Sequence, residues 1–432
     1  MAGVPMIDLD ATAPGADADR PRRPPVPRMA LLLALIVLIL ATLGAAARPA
    51  PGLTEVLVAG GTPAAAFELG ANALYTATYG LNNPNSESAV RRFDLTTGRE
   101  VWATALAQGV QNLMVSDAAG VLMARNDVGI SFLDPATGKL LWDIDSVNTS
   151  AVTIGRGGVL FTTDEVTRTV VRLADARTGT TVWSRPVDAR IFFGPDVLWE
   201  QNPQRLVAVG MDGSVQVLDF ETGRQISRGD LGGPLRPAFD PAVDGALVGT
   251  VGDDRLVVRT TAGGRTTMTA YALAPFAELW ERTVPPTGSA ADCGRVWCVS
   301  AGGQDTPFLG AVDPDTGALR WTAPDLMFAA RFGDRTIVGG GAGETPELTL
   351  RSQETGRVLR RFGRSVRVGD LLLHADRSVP GQTWVQTVDP DGEIRTAGSV
   401  PVVAPFGCEQ EGAYLACPTE DGPTKVWRVP EA

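Results

Sequence analysis

Only a few residues of this sequence have side chains whose type and spacing could carry out chemistry. The chain of 432 residues contains one histidine, His374, and four cysteines. His374 lies in the apolar run Leu371–Ala375, which is typical of a β-strand, so we expect it near a strand end with no catalytic role. The sequence contains neither a G-x-S-x-G nucleophile elbow nor an H-E-x-x-H zinc motif.

The four cysteines form two local pairs, Cys293 with Cys298 and Cys408 with Cys417. Each pair encloses a turn, and its second cysteine lies in a β-like run. Two neighbouring antiparallel strands bring such a pair within disulfide reach. The spacing therefore predicts two disulfides, which are typical of an oxidising compartment. Four thiolates around zinc are the alternative, but neither pair is CxxC and 110 residues separate the two pairs.

Aspartates recur along the chain and invite a metal or acid–base interpretation. They recur in one register, however, which indicates a turn-forming role. We interpret Asp253-Asp254 and Asp313…Asp315 as turns for the same reason, and Gly339–Gly343 as a hairpin tip, since no Lys-Ser/Thr follows it. The recurring positions are Asp94, Asp134, Asp175, Asp219, Asp313 and Asp389.

These aspartates belong to a repeat with the pattern Asp-x-x-Thr-Gly-x-x-x-Trp. Successive glycines are separated by about 40 residues, a period that predicts a propeller when the unit is built from strands. Partial copies have Ser227 or Arg360 at the tryptophan position, and Tyr271…Trp280 keeps the ends without the turn. The four full copies are Asp94–Gly98–Trp102, Asp134–Gly138–Trp142, Asp175–Gly179–Trp183 and Asp313–Gly317–Trp321.

The repeat has a direct physical meaning. Its Asp and Thr side chains can bond turn amides, and its Gly supplies the positive φ of a tight turn between antiparallel strands. The Trp four residues later can dock across the gap between neighbouring blades. Alternating runs upstream, such as 120–124 with 129–133, complete each predicted hairpin.

This repeat resembles the tryptophan-docking motif of the pyrroloquinoline quinone (PQQ)-like β-propellers. The resemblance covers residues 53–430 and implies an all-β fold of eight four-stranded blades. The family includes dehydrogenases that bind PQQ and Ca²⁺, and cofactor-free propellers such as the bacterial outer-membrane-protein assembly factor. The chain lacks the vicinal cysteine pair of the dehydrogenases, and none of their cofactor or metal residues carries over. It is therefore more similar to the assembly-factor propellers.

Nine hairpin-like segments can be counted, the last being 413–417 with 425–429, but the resemblance implies eight blades. The segments 190–200 and 247–280 are where the count is most open to error. We expect Leu53–Ala59 to supply the missing strand of the last blade and to close the ring.

The first fifty residues differ from the rest. Residues 1–28 have the composition of a disordered tail and end in four arginines. Residues 29–47 carry no charge and are long enough to span a bilayer. The arginines on the N-terminal side predict a cytoplasmic tail, a single transmembrane helix, a linker at 48–52 and an extracytoplasmic propeller at 53–430. A cleaved signal peptide, suggested by Ala45-Ala46-Ala47, is the alternative.

Composition limits the classes of function that fit this sequence. The net charge of −11 argues against nucleic acid as a partner. We expect a membrane-anchored, non-catalytic scaffold without cofactor or metal, which binds an envelope protein, peptide or glycan. The alternative is a PQQ/Ca²⁺-dependent quinoprotein dehydrogenase or its redox partner. A sensor is a third possibility, but the tail 1–28 is too short for a signalling domain.

Overall fold

In the computed structural model the described part of the chain is built from β-strands and the turns between them. The structure describes residues 52–430 except 60–63, 79–87, 107–108, 127, 146–148, 156, 166–167, 188–189, 193–203, 236–244, 252–253, 285–288, 302–307, 325, 341–346, 376–380, 390–391, 402, 405–406 and 420–421. The chain divides into two units, Met1–Ala50 and Pro51–Ala432. The predicted tail, transmembrane segment and most of the linker lie outside the described residues. No helix in the described part is long and apolar enough to cross a membrane.

The described strands form nine antiparallel four-stranded sheets, which we number as blades 1 to 9. The strands of blades 1 to 3 are β2(Ala64–Gly70), β3(Ala73–Thr78), β4(Ser88–Asp94), β5(Arg99–Leu106), β6(Asn112–Ser116), β7(Val121–Arg125), β8(Gly129–Leu133), β9(Leu140–Asp145), β10(Thr149–Gly155), β11(Gly158–Glu165), β12(Arg168–Asp175) and β13(Thr181–Val187). Those of blades 4 to 6 are β14(Arg190–Phe192), β15(Arg205–Val209), β16(Ser214–Asp219), β17(Gln225–Asp230), β18(Gly245–Val251), β19(Arg255–Ala262), β20(Arg265–Leu273), β21(Phe276–Val284), β22(Ser289–Asp292), β23(Trp297–Ala301), β24(Phe308–Val312) and β25(Leu319–Pro324).

Blades 7 to 9 complete the ring. Their strands are β26(Leu326–Phe332), β27(Arg335–Gly340), β28(Glu347–Ser352), β29(Val358–Arg364), β30(Val366–Val368), β31(Leu371–Ala375), β32(Gln382–Val388), β33(Ile394–Pro401), β34(Glu409–Glu411), β35(Tyr414–Pro418), β36(Thr424–Arg428) and, as the outer strand of blade 9, β1(Thr54–Ala59). The pairing of β1 with β36 confirms that the N-terminal strand closes the last blade.

The expected count of eight blades is wrong for this structure. Each of the nine hairpin segments belongs to its own sheet. The sequence itself contains nine hairpin segments, and the number eight comes from the family resemblance. The segment beginning at Arg190 contributes β14 of blade 4, whereas the longer segment forms blade 5, β18 to β21. Blade 5 lacks the Asp-x-x-Thr-Gly turn, so the motif alone undercounts the repeat.

The hydrophobic core lies between neighbouring blades because each sheet buries both faces of its middle strands. Strand β7, for example, is buried at all but its last residue, Arg125. Val121 and Phe132 of blade 2 pack with Val159 and Phe161 of blade 3 in one cluster. The outer strands alternate exposed and covered residues, as the solvent-facing edge of a propeller requires.

Candidate functional site

The repeated aspartates form turns in the structure. Oδ1 of Asp94 accepts hydrogen bonds from the backbone N–H of Thr97 at 2.7 Å and from its hydroxyl at 2.8 Å. Gly98 follows with a φ of +66°. The hydrogen bonds of the threonine lower the pKa of the Asp94 carboxyl. The same turn recurs at Asp134, Asp175, Asp219 and Asp313.

Five tryptophans connect successive blades. Nε1–H of Trp142 in blade 2 donates a hydrogen bond of 2.8 Å to the carbonyl of Ala176 in blade 3. The indole also covers Gly179, where an added Cβ would lie 2.6 Å from Cδ2. This glycine is required both by its φ of +69° and by the approach of the ring. Equivalent bonds join Trp102 to Pro135, Trp183 to Phe220, Trp280 to Pro314 and Trp321 to Gln353.

A β-bulge precedes each docking position. In blade 3, Trp183 pairs with Leu173 and Thr181 pairs with Ala174, so Val182 between them is unpaired. Its side chain is 58% exposed. A bulge of this kind twists the outer strand and interrupts its free edge. The same register shift skips Val101, Leu141, Ile226, Leu279, Arg320 and Leu359.

Both predicted disulfides are confirmed. Cys293 and Cys298 are bonded in blade 6 with their Cα atoms 5.8 Å apart. Cys408 and Cys417 are bonded in blade 9 with a Cα–Cα distance of 4.2 Å. Because all four sulfurs are in disulfides, the zinc alternative is excluded. Within the described ranges no group of three His, Cys, Asp or Glu residues could hold a metal ion.

His374 lies in β31 with its ring partly covered. Nδ1 is 2.6 Å from the carbonyl of Arg364 and 3.4 Å from the hydroxyl of Ser365. The short contact to a carbonyl requires that Nδ1 carries the proton and donates it. The histidine therefore connects the end of blade 7 to blade 8.

A cavity of about 880 Å³ lies among the first strands of four consecutive blades, 8, 9, 1 and 2. Three glutamates from blades 1 and 9 line it, Glu68, Glu409 and Glu411, together with Asp117 after β6 and Arg367 of β30. We name this space the axial cavity. It was missed by sequence reasoning, because Glu68 and Glu409 are 341 residues apart and only ring closure brings them together.

The axial cavity has unusual electrostatics. Burial, and to a smaller extent the nearby Glu409 carboxyl, raise the pKa of Glu68 to about 8, although a hydrogen bond from the Val115 N–H acts in the opposite direction. Burial raises the pKa of Glu409 to about 7. Arg367, the cation of the wall, donates to the carbonyls of Gly369 and Arg331. Both of these hydrogen bonds go to the backbone and not to a glutamate of the cavity.

Two carboxyls of the axial cavity bridge neighbouring blades. Glu409 accepts a hydrogen bond from the backbone N–H of Leu69 at 2.9 Å, and Glu68 accepts one from that of Val115 at 3.4 Å. The geometry places carboxyl groups as acceptors across two blade junctions. Raised pKa values also occur in catalytic acids, but here the hydrogen bonds account for the positions of both side chains.

A family model describing the outer membrane protein assembly factor BamB matches residues 86–207 and 211–338. Together these two segments make up more than half of the chain. The chain belongs to this family. No curated protein matches the sequence.

Three solved structures are similar in fold, each at low sequence identity. BamB from Moraxella catarrhalis is 14% identical, with 87% of this chain and 99% of that chain covered and a TM-score of 0.47. The computationally designed protein Ika8 has the same identity and coverage and a TM-score of 0.45. The dihydro-heme d1 dehydrogenase NirN is 14% identical over 69% of this chain and 66% of that one, with a TM-score of 0.43. Nothing about function follows from scores at this level.

Proposed function

We propose that this protein is a non-catalytic binding scaffold of the cell envelope, anchored through residues 29–47 with its propeller outside the cytoplasmic membrane. The observation that carries the proposal is the match of residues 86–207 and 211–338 to the assembly-factor family model. The partner class we propose is an envelope protein, peptide or glycan.

Independent features support the location. Two disulfides in one domain are typical of proteins that fold in an oxidising compartment. Arginines precede the apolar segment 29–47, and the positive-inside rule places such a flank in the cytoplasm. The net charge of −11 disfavours a nucleic-acid partner.

Location is tested with reporter fusions after Ala432. Alkaline phosphatase, which needs its own disulfides, should be active in this fusion. A fluorescent protein that folds correctly only in the cytoplasm should not fluoresce in the same position. The reverse pattern would overturn the location. Mass spectrometry of the N-terminus in the same strain distinguishes a retained anchor from cleavage after Ala47.

The scaffold proposal is tested against the dehydrogenase alternative by cofactor titration. PQQ with Ca²⁺ is added to the purified full chain, and the thermal unfolding midpoint is measured. A ligand that binds only the native state raises this midpoint. The proposal predicts no rise at saturating cofactor, and a concentration-dependent rise would overturn it.

A further inference from the structure

Blade 7 carries a concentration of positive charge on an otherwise acidic chain. Residues 347–364, which form β28, the following turn and β29, contain five arginines and two glutamates. Strand β29 alone holds Arg360, Arg361 and Arg364 and no acidic residue. The outer strands of the other eight blades have at most one arginine each. We name β29 with the preceding Arg357 the arginine edge.

The arginine edge is exposed and uncompensated. The side chains of Arg357, Arg360, Arg361 and Arg364 are exposed, and none makes an ion pair within the part of the chain that the structure describes. Of the two nearby glutamates, Glu354 is engaged 2.8 Å from Arg295.

The remaining glutamate offers little compensation. Of the arginines in the edge, Glu347 is paired across the strands with Arg364, at the far end of the strand pair, and not with Arg360 or Arg361. Behind the edge, burial and the charge of Arg361 lower the pKa of Arg351. Like charges held this close raise the free energy of the free protein, and an anionic ligand would relieve that cost.

Arg360 also breaks the pattern of the repeat. It occupies the position at which five other blades place the docking tryptophan. At this junction Leu350 of β28 covers the next turn instead, since its Cδ2 lies 2.5 Å from where a Cβ on Gly392 would be. The junction is therefore filled without Arg360, whose guanidinium remains in solvent.

We infer that the arginine edge is the docking site for a short acidic segment of a protein partner. Guanidinium groups bind carboxylates through paired, charge-assisted hydrogen bonds, and the exposed Leu359 adds an apolar contact between the arginines. The inference deepens the proposed scaffold role and rests on it.

The shape of the charge favours a peptide over a membrane or another extended polyanion. Seven residues of strand span only about 23 Å. The neighbouring outer strand β25 has its single arginine, Arg320, already paired with Asp313. A broad anionic surface would meet the acidic remainder of the propeller, whereas an extended acidic segment meets the arginine edge alone. Two bulges in β29 disfavour pairing through the backbone, so the side chains provide the recognition.

The test is a fluorescence-anisotropy titration of the full chain in zwitterionic detergent at low salt. The probe is a labelled decapeptide of Glu and Asp with two Leu, and its Lys-substituted counterpart is the negative probe. Arg360→Glu/Arg361→Glu is compared with Arg185→Glu/Arg228→Glu, which makes the same charge change on exposed arginines of blades 3 and 4. We expect the first pair of substitutions to weaken acidic-peptide binding by about tenfold or more and the control pair to have little effect.

Equal weakening by both double variants would overturn the inference, because it would show a general charge effect. Absence of binding by the wild-type chain, or binding only to anionic phosphatidylglycerol vesicles, would also overturn it. Arg360→Gln/Arg361→Gln, checked for an unchanged thermal midpoint, guards against misfolding. Failure of the scaffold role itself would appear separately, as stabilisation by PQQ with Ca²⁺.

Discussion

The backbone N–H of Leu69 donates a hydrogen bond of 2.9 Å to Oε2 of Glu409, which lies 340 residues further along the chain. Leu69 is in the first strand of blade 1 and Glu409 in the first strand of blade 9. This contact closes the ring at its axis, while β1 and β36 close it at the rim. The first and last parts of the domain are therefore joined both near the propeller axis and at its outer rim.

The axial carboxyls should make stability depend on pH. The pKa of Glu68 in the folded protein, about 8, lies above the ordinary value of 4.5. The native state therefore binds more protons than the unfolded state between these values, and the free energy of unfolding falls as pH rises from about 4.5 to about 8. Glu68→Gln should flatten this slope in thermal melts between pH 5 and 8. The exposed Glu221→Gln serves as control, and an unchanged slope in Glu68→Gln would contradict the assignment.

The tryptophan contacts should contribute strongly to stability. Trp142→Ala removes both the stacking on Phe132, at a centroid distance of 4.0 Å, and the bond to Ala176. We expect a loss of about 3 kcal/mol in chemical denaturation, since Trp142 is partly exposed. Trp142→Phe keeps an aromatic ring and loses the N–H donor, and should cost about 1 kcal/mol. Equal losses in the two variants would contradict a packing role, and Ile226→Ala is the exposed control.

Substitutions at two glycines distinguish the stability cost of backbone strain from the cost of a steric clash. Gly179 and Gly157 both have positive φ, +69° and +82°. An added Cβ meets the indole of Trp142 at Gly179 but nothing within 4 Å at Gly157. Gly157→Ala should therefore cost only the strain of the left-handed conformation, about 1–2 kcal/mol. Gly179→Ala should cost clearly more in the same denaturation experiment, and similar losses would refute the docking geometry.

The disulfides should add measurable stability even though their loops are short. The sequence separations of 5 and 9 correspond to about 2 and about 3 kcal/mol in the chain-entropy model. Cys293→Ser/Cys298→Ser and Cys408→Ser/Cys417→Ser should each lower the free energy of unfolding by roughly these amounts. A reducing agent should then lower the stability of each double variant only through the disulfide that remains. Wild-type stability in either double variant would contradict this expectation.

Local patterns in the sequence predict most of the fold. The turn from Asp94 to Gly98 and the strand closure at Leu53–Ala59 depend on neighbouring residues or on one terminal pairing, so both can be read from the chain. The number of blades depends on how many sheets fill the ring. Nine hairpin segments can be counted in the sequence, but the family resemblance implies eight blades, and blade 5 lacks the aspartate turn between β20 and β21.

The site is less accessible to sequence reasoning than the fold. Glu68 and Glu409 look like ordinary surface residues until nine blades bring their strands side by side. Arg360 was visible as a departure from the repeat, but its meaning depends on the exposure of the strand and on the absence of ion pairs within the described residues around it. Both are properties of packing between blades.

The most direct test of the scaffold proposal is photo-cross-linking in living cells. A photo-reactive residue replaces Ala136, in an exposed turn of blade 2, or Met211, in an exposed turn between the second and third strands of blade 4. A third position, Leu359, samples the arginine edge. The account predicts that one envelope protein is cross-linked reproducibly from at least one of these three positions and not from all of them. If none of the three positions gives a cross-linked partner, the account is contradicted.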